Sequence, residues 1–80
     1  MSTHRPDGVL DAIIDCLVDG PRDHDQIARA VGADGSTVNG FLYRYEDRYF
    51  IPSCKPQEGK PVWRLVERVR ESRMRKRAGA

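Results

Sequence analysis

Asn39 and Tyr43 stand four residues apart within the stretch Ser36–Phe50, STVNGFLYRYEDRYF. The apolar residues Val38, Phe41, Leu42 and Tyr45 of that stretch recur at helical spacing, so they turn toward a core. Asn39 and Tyr43 then stack on another face of the same helix, bordered by Gly35, Ser36, Gly40 and Asp47. Asn is a base-edge reader by its amide, with Ser36 a lesser candidate. The Tyr ring offers a flat surface to a base or a sugar. A single exposed aromatic needs no functional explanation. Trp63 changes the picture: a later segment that folds back beside this helix brings Trp63 to Tyr43. An edge-to-face pair contributes about 0.5–1.5 kcal/mol beyond area burial and fixes the Tyr ring in one orientation.

No comparable arrangement for catalysis is present. His4 lies in the leader and His24 at a helix start, without a nucleophile arrangement beside either. There is no phosphate-cradling loop, paired-carboxylate cleft or metal-ligand cluster, and so small a core leaves little room for a substrate pocket. A non-enzymatic protein without cofactor or metal is expected. Cys16 and Cys54 lack the paired short spacings of zinc motifs and are expected to be free thiols.

The elements that must position these residues follow from periodicity and punctuation. A chain of 80 residues makes one domain with one small core. Residues 1–6 are expected to be a flexible leader, 7–66 the folded domain and 67–80 a basic, solvated, frayed helix. Leu10, Ile13, Ile14 and Leu17 mark a first helix, with Asp7 as its N-cap and Gly20-Pro21 as its stop. Asp23 followed by Gln26 reads as a capping box for a second helix, with Ile27, Ala28 and Val31 inward and Gly32 ending it. The third helix follows a tight Gly-containing turn, capped by Asp34 or Ser36, and should run to Glu46 or Asp47. Tyr49-Phe50-Ile51 suits a strand that Pro52 confines to an edge or ends. Val62–Val66 reads as the return strand, with Trp63 and Leu65 on one face and Val62, Arg64 and Val66 on the other. Three helices, a β-hairpin wing and a basic tail make an α+β winged helix-turn-helix.

Charge is unevenly placed. Residues 67–80 carry six Arg/Lys against two Glu, a net +4, whereas residues 1–66 carry eight against ten, a net −2. The tail favours a polyanion, and the Asp11, Asp15, Asp19 stripe of the first helix, read as a solvated face, repels one. No apolar run approaches the roughly 20 residues of a membrane span. The N-terminus has no signal-peptide core. An intracellular protein, in cytoplasm or nucleoid and without membrane association, is expected.

From Asp7 to Val66 the chain resembles the Zα domain, the winged-helix module that binds left-handed Z-form DNA and RNA. The resemblance rests on Asn39-Gly40-Phe41-Leu42-Tyr43 in the third helix and on Gly59-Lys60-Pro61-Val62-Trp63-Arg64-Leu65 in the wing. It implies that Tyr43 contacts a syn guanine, Trp63 buttresses Tyr43, Asn39 hydrogen-bonds phosphate and Pro61 packs on the backbone from the wing. Three positions depart from the family pattern. Gly35 stands where a Lys is usual, Gly40 where an Arg or Lys often follows the Asn, and Lys60 where the first of two prolines is common. Lys60, Arg64, Arg44 and Arg48 are candidates to replace the missing cations. Two other functions stay open: a B-DNA-binding regulator reading bases through the third helix, and a protein-interaction module.

Overall fold

The computed structural model describes residues 6–79. Its elements are α1 (Pro6–Val18), β1 (Arg22–Asp23), α2 (His24–Val31), α3 (Gly35–Arg44), β2 (Phe50–Pro52), a 3-10 turn (Pro56–Glu58), β3 (Val62–Leu65) and α4 (Glu67–Ala78). Together they form a winged helix-turn-helix. The expected leader lies outside the described residues except Pro6, which begins α1, so Asp7 falls in the first turn rather than at the cap.

The helices bury the stripes that periodicity assigns to them. Ile13, Ile14 and Leu17 of α1, Ile27 and Ala28 of α2, and Val38 and Leu42 of α3 are buried. Val9 and Val18 of α1 and Phe50 of β2 join them. Leu10, Val31, Phe41 and Tyr45 are only partly buried at the margin of this core. Phe41, Tyr45 and Tyr49 stack in succession along that margin, with centroid separations of 6.4 and 5.1 Å.

The α2 start behaves as its capping box dictates. Gln26 N donates to Asp23 Oδ1 at 2.9 Å, and Asp23 N donates to Gln26 Oε1 at 3.0 Å. Gly32 closes the helix at φ 72°, a left-handed conformation that disfavours a side chain. Replacing Asp23 with Ala is expected to lower stability by about 1 kcal/mol, read as a lower urea midpoint at unchanged slope.

Four sequence expectations are revised. α3 stops at Arg44, short of Glu46–Asp47. Asp47 adopts φ 68°, and the Tyr45 carbonyl accepts from Arg48 N at 3.0 Å and Tyr49 N at 2.9 Å. A tight turn therefore replaces the last helical turn, at a residue type that tolerates the left-handed region. Asp34 occupies the α3 N-cap without a side-chain cap bond. The wing is not a bare hairpin: the segment between α1 and α2, too short for more than a fragment of strand, adds Arg22–Asp23 as a third strand, giving the antiparallel order β1-β3-β2. Finally, Val66 leaves the sheet to cap α4, a helix that packs on α1 instead of fraying in solvent.

Candidate nucleic-acid interface

β3 is the central strand, and Trp63 lies opposite Arg22 of β1 on one side and Pro52 of β2 on the other. Strand alternation turns Trp63 and Leu65 inward and leaves Val62 and Arg64 exposed. Trp63 is completely buried. Its ring meets that of Tyr43 with centroids 4.9 Å apart and planes at 87°. The third helix and the wing, far apart in sequence, are thus joined through one perpendicular aromatic contact. Tyr43 remains partly exposed, and Asn39, one turn earlier on α3, is also partly exposed. Ser36 is exposed near the start of α3.

The seven candidate residues separate by position. Tyr43, Asn39 and Ser36 share the exposed side of α3. Trp63 supports Tyr43 from beneath and has no exposed surface for a ligand. Pro61 is buried as well, so in this fold it presents little surface at the wing. Lys60 is exposed beside α2, where it pairs with Asp25. Arg64 points to the opposite face of β3 from Trp63 and lines a cleft with Leu17, Gly20, Pro21 and Arg70.

A solved structure similar to this fold is the Zα domain from Carassius auratus PKZ, described in complex with Z-DNA. The two chains are 32% identical, and the match covers 76% of this chain and 97% of the other at a TM-score of 0.67. The chain belongs to the Zα family. No family model and no curated protein matches it.

In this Zα domain the two glycines on α3 differ in surroundings. A Cβ at Gly40 would meet nothing within 4 Å. A Cβ at Gly35 would lie 3.5 Å from Asp25 Oδ1 and 3.6 Å from His24 Cδ2, which is ordinary contact. Neither position excludes a Cβ on steric grounds. The third departure, Lys60, reaches Asp25 and lies 4.0 Å from Asp23 Oδ1. Its bond to Asp25 holds that carboxyl below its ordinary value and raises the Lys60 ammonium.

Two of the six cations at the basic end of the domain are paired with its own first helix. Arg73 bonds Asp11, and Arg77 bonds both Asp15 and Asp19 at 3.2 Å. Arg70 Nε also donates to the Val18 carbonyl at 3.3 Å. The bond from Arg73 holds the Asp11 carboxyl below its ordinary value. Residues that look like a repelling stripe and an attracting tail are therefore partners. Arg44 and Arg48 are exposed and make no salt bridge among the described residues.

The sequence offered no signal for the Lys60–Asp25 pair, because its members are 35 residues apart. Cys16 and Cys54 are both free, and burial pushes the Cys16 thiol up, away from the reactive thiolate. Among the described residues, no helix is long and apolar enough to cross a membrane.

Proposed function

We propose that this domain binds double-stranded nucleic acid in the left-handed Z form, with α3 and the wing as its contact surface. The observation that carries the reading is the perpendicular Tyr43–Trp63 pair, which holds a partly exposed aromatic ring one turn from Asn39. A ring fixed before binding loses little freedom on contact, so it selects a base or sugar of matching orientation. Tyr43 supplies the contact plane, Trp63 sets its angle, and Asn39 and Ser36 hydrogen-bond the backbone. Lys60 contributes charge from the wing, and Arg64 acts only on a strand that wraps past it. Membership of a family with a Z-DNA complex at 32% identity supports this reading.

The face is poor in the side chains that read base edges. Asn39 is the one strong candidate on it, so recognition rests on shape rather than sequence. The test is circular dichroism of an alternating CG duplex titrated with the protein, beside a scrambled duplex of equal length. Inversion of the CG spectrum alone supports Z-form recognition. Absence of inversion with binding to both duplexes favours a B-DNA-binding regulator, and absence of any binding favours a protein-interaction module.

The open space at Gly40 allows a direct test of the missing helix charge. Gly40→Lys is expected to add one phosphate contact, steepening the salt dependence of binding by about 0.9 in log–log slope. It is also expected to stabilise α3 by roughly 0.5–1 kcal/mol, since an internal helical glycine is replaced. Gly35→Lys is expected to gain less, because its Cβ starts 3.5 Å from Asp25 Oδ1 and that carboxylate competes for the new ammonium. Salt titrations of the three proteins with one CG duplex measure the slopes, and urea unfolding measures the stability.

A further inference from the structure

Asp25 stands in the first turn of α2, where a carboxylate suits the helix N-terminus, but it also makes a contact far along the chain. The adjacent acid, Asp23, makes the α2 capping box and stands 4.0 Å from Lys60 Nζ, farther than Asp25. Asp25 takes no part in that box, and its Oδ2 instead receives the Lys60 ammonium from the wing. Its other oxygen, Oδ1, lies 3.3 Å from His24 Nε2 and faces Gly35 at the start of α3. The carboxylate thus stands at the junction of α2, α3 and wing, against the one lysine that the wing brings there. Both partners are about half exposed, at 48% and 47% of side-chain surface. The pair is accessible to a competing anion and screened by salt.

We propose that Asp25 is an intramolecular competitor for Lys60, holding the wing lysine in a neutral pair that a nucleic-acid phosphate must displace. This role rests on the reading of the α3–wing surface as a nucleic-acid interface. A phosphate takes the place of the Asp25 carboxylate on Nζ, and Asp25 is left with His24 and water. Binding through Lys60 therefore exchanges one ion pair for another instead of adding one. The domain attracts polyanions less than its cations suggest, and affinity depends more on the shape match at Tyr43. Asp25 in this way raises selectivity for a fitting conformation over duplex in general.

The experiment is a double-mutant cycle of Asp25→Asn and Lys60→Ala, with affinities for a CG duplex measured across a salt series. Asp25→Asn keeps the side-chain size and leaves the Asp23 cap untouched. It is expected to tighten binding about two- to fivefold, the range set by the strength of an exposed ion pair. The salt slope should stay nearly unchanged, because Lys60 meets one phosphate in both proteins. The tightening should not occur in the Lys60→Ala background. A scrambled duplex should gain at least as much as the CG duplex, because the released charge is indifferent to form.

Equal tightening in both backgrounds would overturn the proposal, since the carboxylate would then act by its general field. Weaker or unchanged binding by Asp25→Asn would overturn it too, making the pair a tether for the wing. Tyr43→Ala separates this role from the reading beneath it. Loss of the CG preference in that variant supports the interface. A retained preference in Tyr43→Ala sinks the interface reading, while the Asp25–Lys60 cycle on the scrambled duplex still decides the competition.

Discussion

Tyr43→Ala is expected to lose the spectral inversion of an alternating CG duplex while keeping the fold. The ring is partly exposed, so its removal leaves the buried set of Ile13, Ile27, Val38, Leu42 and Phe50 intact. Stacking of an aromatic side chain on a base is worth about 1–3 kcal/mol, so affinity should fall roughly five- to 150-fold. The edge-to-face contact with Trp63 is lost with it, at a stability cost of about 0.5–1.5 kcal/mol. Far-ultraviolet circular dichroism and a thermal melt check the fold, and fluorescence anisotropy with a labelled CG duplex checks binding. Tyr43→Phe keeps the ring and should retain most of the affinity if the plane is what matters. Full CG-specific binding by Tyr43→Ala would remove the mechanism, because no other partly exposed ring contacts Trp63 among the described residues.

Trp63→Ala should act on the fold itself. Trp63 is the largest fully buried side chain of the core and sits on the central strand between β1 and β2. Truncations of this kind cost about 3–5 kcal/mol. Domains as a class hold only about 5–15 kcal/mol of stability, so this one change removes much of the margin. The melting temperature is expected to fall by roughly 12–40 °C. Trp63→Phe separates fold from site. It removes an indole N–H that is buried without a partner among the described residues, so its cost is smaller than the lost volume alone implies. It also changes the edge against which Tyr43 rests. This variant should fold and bind more weakly. A folded Trp63→Phe with unaltered affinity would show that the angle of the Tyr ring is set elsewhere.

Much of this molecule was legible before any coordinates. Apolar spacing marked the inward faces of α1, α2 and α3, because a side chain's direction on a helix is fixed by its place in the 3.6-residue period. The Asp23–Gln26 box and Gly32 placed both ends of α2, because caps are made by near neighbours. The alternation in Val62–Leu65 separated Trp63 from Arg64 for the same local reason. Asn39 and Tyr43 on one face, and Trp63 within reach of Tyr43, also followed from spacing once a wing was expected.

The end of α3 and the strand at Arg22–Asp23 were harder to read. Glu46 and Asp47 carry no strong stop signal, and the turn there depends on hydrogen bonds to the Tyr45 carbonyl from residues that must first reach β2. Two residues make a strand only when another strand is already beside them, and β3 comes some 40 residues later in the chain.

Charge was where tertiary structure decided most. From the sequence, the tail was a free cationic arm and the α1 aspartates a solvated, repelling stripe. Packing α4 on α1 sets Arg73 against Asp11 and Arg77 against Asp15 and Asp19, more than 55 residues away in each case. Likewise Lys60 turns from an available phosphate ligand into the partner of Asp25. Composition and period are sums over neighbours along the chain, and they determine which faces are buried and which ring is held off the core. Coulombic pairing falls off over a few ångströms of space regardless of sequence separation. Which charges remain for a nucleic acid was therefore set by the fold.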